Sequence, residues 1–196
     1  MPIRQTAEVV VSAAAEMEIA RYLEPGESLT WNGAPQHGFL LRGSDAFLIP
    51  FSIMWGGFAI FWEFSVVAAG APLIFIIWGI PFVLVGLYIT VGRFFVDARM
   101  REKTFYGLTD QRIIILSGLF TRTISTLPLR SLSEITLKEN PDRSGTVYFG
   151  QQHPMANWVG GMHWPGMGQF RSSSFELIQN AKEVHDRVLA AQRSVF

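Results

Sequence analysis

The chain has 196 residues, 16 Lys+Arg balanced by 16 Asp+Glu, a hydrophobic fraction of 49% and no cysteine. That length suits one domain of ordinary size with a small appendage, and the missing cysteines exclude disulfides, thiolate nucleophiles, thiolate zinc sites and iron-sulfur clusters. Charged residues make up 16% of the chain, and between Ala46 and Gly92 the only one is Glu63, so a bland average hides a membrane segment.

The N-terminal stretch from Thr6 to Leu23 reads as an amphipathic helix with Val10, Ala13, Ala14, Met17, Ala20 and Arg21 aligned, and residues 1–23 are assigned to it. Its apolar run Val9–Ala15 is short and lies between Glu8 and Glu16, unlike a cleaved signal peptide. Residues 24–45 form a pre-membrane segment. Residues 46–69 and 72–96 are then each about 24 residues of nearly continuous apolarity, enough at about 1.5 Å per residue to cross a bilayer with some tilt. Only Gly70 and Ala71 separate them, with Pro72 at a first helical position, and so short a connection predicts an antiparallel transmembrane hairpin over 46–96.

Arg42 precedes the first span, while Arg93, Arg99, Arg101 and Lys103 follow the second and the turn carries no charge. The positive-inside rule then puts both termini in the cytoplasm. Glu63 sits about six residues, roughly 9 Å, from the outer end of its helix. A carboxyl in hydrocarbon is expensive unless paired, protonated or near an interface. It fits a group that snorkels outward or bonds within the hairpin, one that contacts another subunit, or a transport residue. Gly56, Gly57, Ala59, Gly79 and Gly86 let helices approach closely.

From Lys103 the pattern breaks into short segments divided by turns, within a cytoplasmic unit of residues 97–196. Residues 106–120, "YGLTDQRIIILSGLF", have the turn chemistry of a water-facing β-hairpin: a strand at 103–108, a turn at Thr109-Asp110-Gln111, and a strand at 112–117. Further strands are expected over 121–129, 133–139 and 146–150, the last after the turn Asn140–Gly145. Strands at this spacing without helices between them predict an antiparallel meander. A C-terminal helix over 181–193 closes the unit. Asn180 and Glu183 have capping-box spacing, and Ala181, Val184, Val188, Ala191 and Val195 share one face. His185 shares that stripe and fits a packing or capping role.

The order of two spans, then "TFYGLTDQRIIILSGLFTRTISTLPLRSLSEITL", "GTVYFG" and "FELIQNAKEVHDRVL", resembles the membrane-anchored bacterial pleckstrin-homology (PH) domain proteins. The similarity covers residues 24–192. It implies a membrane helical hairpin plus an α+β PH-like domain, in which a curved antiparallel sheet of about seven strands is closed by a C-terminal helix. It also implies that "LEPGESLTWNGAP" supplies an early strand or a membrane-proximal segment. The resemblance implies no enzymatic activity, since fold alone does not fix function.

Phosphate recognition would need basic side chains converging on one loop, yet residues 97–196 hold 12 basic and 9 acidic residues spread along the strands. Arg112, Arg122 and Arg130 are the phosphate-binding candidates, spaced to meet at a sheet edge. The stretch "HPMANWVGGMHWPGMG", residues 153–168, is the least ordinary outside the spans. Its His153, His163, Met155, Met162 and Met167 are soft or borderline metal ligands. Trp158 and Trp164 among glycines better suit a surface presented to lipid or protein. Met155, Trp158, Met162, His163, Trp164 and Met167 are therefore expected to contact a partner, and no metal or cofactor is expected.

Catalysis fails on inventory: Ser172, Ser173 and Ser174 read as strand residues without a nucleophile turn, and no phosphate loop or paired-His motif occurs. The expected protein is a non-catalytic interaction module or accessory subunit in the bacterial cytoplasmic membrane. Its expected partners are membrane lipids and either another protein or a second copy of itself, not nucleic acid. A lipid or small-ligand sensor and a transport component using Glu63 are the alternatives.

Overall fold

A computed structural model describes residues 12–36, 45–119, 121–150 and 173–195. In chain order its elements are α1 (residues 12–20), β1 (Leu29–Gly33), α2 (Asp45–Ala68), α3 (Leu73–Leu87), a π turn (Tyr88–Gly92) and α4 (Arg93–Glu102). They are followed by β2 (Phe105–Thr109), β3 (Arg112–Ser117), β4 (Thr123–Pro128), a 3₁₀ turn (Leu129–Ser131), β5 (Ile135–Glu139), β6 (Gly145–Phe149), β7 (Ser174–Ile178) and α5 (Ala181–Ser194). The described residues fall into two compact units: a helical hairpin of residues 45–98, and a sheet unit of residues 12–36, 99–119, 121–150 and 173–195.

The sheet unit has seven described strands, not in the single curved sheet expected but in two antiparallel sheets, β1-β2-β3-β4 and β5-β6-β7. The break falls where Pro128 hands the chain to the 3₁₀ turn: proline has no N–H to extend a ladder, and the turn redirects the chain before β5. Leu129 in that turn is fully buried. Phe175 of β7 lies at the centre of the core, with ring centroids 4.9 Å from Tyr106, 4.9 Å from Phe149 and 5.2 Å from Trp31. The Tyr106 hydroxyl accepts the Glu176 N–H at 3.1 Å, so one residue of β2 ties the two ladders both by packing and by hydrogen bonding. Ala181, Val184 and Val188 of α5 close this core, with Ala191 and Val195 packed against it.

The capping box does not form. Asn180 adopts a left-handed conformation with φ 48° and makes no side-chain cap bond. Its neighbour's N–H is satisfied instead by the Arg143 carbonyl at 3.1 Å, and Glu183 accepts from Arg187 one turn on at 2.7 Å. His185 is mostly buried, with Nδ1 3.1 Å from Asp186 Oδ1.

The β2–β3 hairpin does not face water. Tyr106, Leu108, Ile113 and Ile115 point into the main core, while Ile114 and Leu116 on the opposite face pack against Ala15 and Ile19 of α1. Both faces are covered, which is why "RIIIL" is continuously apolar and does not alternate. Within the stretch read as an N-terminal helix, residues 12–20 are helical, and the face they bury differs from the expected one. Ala15, Ile19, Tyr22 and Leu23 turn inward, whereas Ala13, Met17 and Ala20 are exposed. The sheet selects the side with the longer aliphatic and aromatic groups, because these remove more apolar area from water than alanines do. Gly107 permits the close approach: a Cβ there would lie 2.9 Å from Ile19 Cγ2 and 3.0 Å from Ile19 Cδ1.

The hairpin unit has two helices, Asp45–Ala68 and the continuous run Leu73–Glu102, long and apolar enough by length and composition to cross a membrane. Phe58, Phe61, Phe64, Leu73, Ile74 and Trp78 are each more than half exposed. The apolar side chains therefore line the outside, and the small ones line the seam.

Candidate functional site

Two polar constellations stand out, one in each unit. In the sheet unit, "EPGE" at 24–27 is a tight turn: Pro25 occupies the second position, Gly26 the third with φ 86°, and the Glu27 N–H returns to the Glu24 carbonyl at 3.0 Å. This is type II turn chemistry, in which glycine supplies the positive φ. The turn aims both carboxylates at Arg112, the first residue of β3. Arg112 Nε donates to Glu27 Oε1 and Nη2 to Glu27 Oε2, both at 2.8 Å. Nη1 reaches Glu24 Oε1 at 2.8 Å, and Nη2 also donates to the Tyr22 carbonyl at 3.0 Å.

The hairpin turn completes the knot. The Thr109 hydroxyl donates to Glu27 Oε1 at 2.7 Å, and its oxygen accepts the N–H groups of Gln111 and Arg112 at 3.2 and 2.9 Å. Asp110 accepts the Ser28 N–H at 3.1 Å and donates its own N–H to the Ser28 carbonyl at 3.1 Å. Burial by itself would raise the Glu27 pKa, yet the Arg112 guanidinium, the Glu24 N–H and the Thr109 hydroxyl hold it down at about 2. "LTDQR" thus does more than reverse the chain: it clamps the segment before α2 onto the sheet.

The three candidate arginines do not converge. Arg112 pairs in register with Pro128 at one end of the β3–β4 ladder, and Ser117 pairs with Thr123 at the other. Arg122 lies beyond Thr123, about six residue steps or roughly 20 Å from Arg112 along the strands. It is held by Glu18 of α1 at 2.7 Å. Arg130 is exposed on the 3₁₀ turn. Two of the three already have carboxylate partners, and the ladder keeps Arg112 and Arg122 apart.

In the hairpin unit a seam runs along one face of each helix. Arg93 Nη1 meets Asp45 Oδ1 at 2.7 Å, with both side chains about 94% buried. Thr90 Oγ1 lies 2.7 Å from the Gly86 carbonyl and 3.4 Å from that of Ser52, which is fully buried. A Cβ on Gly86 would stand 2.9 Å from Gly56 Cα, whereas one on Gly57 would meet nothing. Further along, Glu63 folds over Gly79, where a Cβ would collide with its Oε2; that oxygen is buried without a hydrogen-bond partner. Trp55 is packed between Phe51 and Phe82.

Sequence reasoning found Glu63 and the glycines but missed Glu24, Glu27 and the Asp45–Arg93 pair. The pair carried a signal: Asp45 is the last charge before the first apolar run and Arg93 the first after the second, and a two-residue connection between the runs brings those ends together. Met155, Trp158, Met162, His163, Trp164 and Met167 lie outside the described residues, as does His153. Among the described residues no group of three or more His, Asp or Glu could hold a metal ion.

A helical hairpin of membrane-spanning length followed by an antiparallel sheet with a closing C-terminal helix defines a PH-like protein preceded by two apolar helices. The profile of the bacterial PH domain family matches residues 47–149, just over half of the chain, and the protein belongs to that family. The match takes in both apolar helices and β2 to β6. No curated protein and no solved structure matches the chain.

Proposed function

We propose that the protein is an integral, non-catalytic subunit of the bacterial cytoplasmic membrane, anchored by α2 and α3–α4 with both termini cytoplasmic, and that its PH-like unit docks a protein partner or a second copy. PH-like domains serve as interaction modules, and one observation carries the membrane reading. The large apolar side chains of both long helices point outward, an arrangement that water penalises and hydrocarbon accepts. Basic residues cluster after the second span, which supports the orientation. The ion pairs of Arg112 with Glu24 and Glu27 and of Arg122 with Glu18 consume two cations of the sheet unit internally, which favours protein docking over headgroup capture by that unit. Met155, Trp158, Met162, His163, Trp164 and Met167 supply the partner contact in this reading, and Glu63 is a packing carboxyl of the hairpin.

The test is fractionation and native mass measurement of the full chain. The protein should stay in the membrane pellet through alkaline carbonate, and mild detergent should release an assembly heavier than one chain plus its micelle. A carbonate-soluble protein would end the membrane reading; a strictly monomeric particle without a copurifying protein would end the subunit reading. Orientation is tested separately, since the chain has no native cysteine. Ala71→Cys should react with an impermeant maleimide in intact spheroplasts, and Ser194→Cys only after lysis.

A further inference from the structure

Arg93, which is buried, and Arg112, which is largely so, use their guanidinium edges differently. Arg112 presents the Nε–H and Nη2–H pair, the edge that matches two oxygens of one anion, to Glu27. Arg93 gives only Nη1 to Asp45, and its Nε and Nη2 are buried without hydrogen-bond partners. An unsatisfied donor of a charged group is costly in a low-dielectric setting. Its side chain is about 94% buried, so bulk water does not relieve it. The bond to Asp45 seats the guanidinium at the N-terminus of the 24-residue helix α2, whose macrodipole also favours negative charge there. Asp45 neutralises one end of the guanidinium, and Asp97 is buried one turn further along α4. The opposite edge is left for a third group.

We propose that the Nε/Nη2 edge of Arg93 binds a phosphate group, and that a membrane phospholipid supplies it. The proposal rests on the membrane reading above. Residues 72–92 contain no charge and Arg93 is the first after them, so in a bilayer the guanidinium lies at the depth where an apolar core gives way to phosphates. A planar two-donor edge suits two phosphate oxygens better than an ammonium does. Both donors are screened from water, so the phosphate reaches them by parting neighbouring side chains. A lipid resident beside the helices is better placed for this than an ion arriving from solution.

The experiment uses the full chain, purified in mild detergent, stripped of lipid, and titrated with phosphatidylglycerol in mixed micelles or with inorganic phosphate. Bound phosphorus and native mass are read out. Wild type should retain phosphatidylglycerol, and Arg93→Lys, which keeps the charge but loses the edge, should bind about tenfold more weakly. Arg99→Gln removes an exposed charge on the same helix and should bind as wild type does. Asp45→Asn keeps the edge, removes a competing negative charge and should hold the lipid at least as tightly as wild type, which covers the case that Arg93→Lys fails to fold. Binding of inorganic phosphate that depends on Arg93 would support the phosphate chemistry with a free ion as its source. Equal binding by wild type and Arg93→Lys, or equal loss in Arg93→Lys and Arg99→Gln, would overturn the proposal. So would loss of a copurifying protein from Arg93→Lys with bound phosphorus unchanged, which would assign the edge to a protein carboxylate. A protein that needs no detergent would instead sink the membrane reading, a result that fractionation registers independently.

Discussion

Arg112 and Glu27, 85 residues apart in sequence, are joined edge to edge by two hydrogen bonds of 2.8 Å with the Glu27 side chain almost wholly buried. The apolar helical run lies between them in the chain. This knot fastens the segment before α2 to a strand after α4, so the sheet unit is closed by residues from both sides of the hairpin. Removing one partner leaves the other buried and uncompensated. Glu27→Gln should therefore destabilise the sheet unit by about 3 kcal/mol, and hydrogen exchange should rise first in residues 22–29 and 109–112.

The same pair sets a pH dependence. The Glu27 pKa lies at about 2 in the folded protein against 4.5 for an ordinary glutamate. A depressed carboxylate stabilises the fold fully above the unfolded pKa and loses that contribution as pH falls through the folded one. The stability difference between wild type and Glu27→Gln should be flat above about pH 4.5 and shrink between there and about pH 2. Chemical denaturation at a series of pH values checks this; a difference that persists unchanged to the acid end would remove the carboxylate from the account.

Gly107 is the point where α1 meets the outer face of the sheet. Gly107→Val would drive a branched side chain into Ile19, and overpacking of this kind costs about 1–3 kcal/mol. The expected result is faster exchange of the α1 amides with the Phe175 core still protected. Combining Gly107→Val with Ile19→Ala should recover part of the loss, because the second change opens the space the first one fills.

The hairpin seam can be trapped chemically because the chain has no native thiol. Thr90 Oγ1 lies 3.4 Å from the Ser52 carbonyl across it, so the double variant Ser52→Cys, Thr90→Cys should form an intramolecular disulfide under mild oxidation, seen as a shift on non-reducing gels. Adding Gly86→Leu should suppress the crosslink, since the backbone of α2 lies against Gly86 with no room for a side chain. Adding Gly57→Leu should leave it intact.

Much of this architecture was readable in one dimension. Two long apolar runs with a single charge between them and a two-residue connection specify an antiparallel helical hairpin, because so short a link leaves the second helix no course but back along the first. Short β-branched runs divided by turn residues specify β2, β3 and β5, and an apolar stripe at helical spacing specifies the inward face of α5. The α1 stripe was misread for a physical reason. Alanine-rich helices carry weak periodicity, and only the sheet lying opposite decides which side is worth burying.

The polar partnerships belong to the tertiary structure alone. Glu24 and Glu27 look like any two glutamates in a turn until β1 pairs with β2 and brings "EPGE" against Arg112. Arg112, Arg122 and Arg130 look alike until the β3–β4 register sends Arg122 to the far end of the ladder. By itself the sequence determined which segments avoid water and which period they follow, because those are properties of neighbouring residues. Which charge meets which, and which is left with an unused edge as Arg93 is, depends on residues tens of positions apart. Such groups become neighbours only when the chain closes on itself.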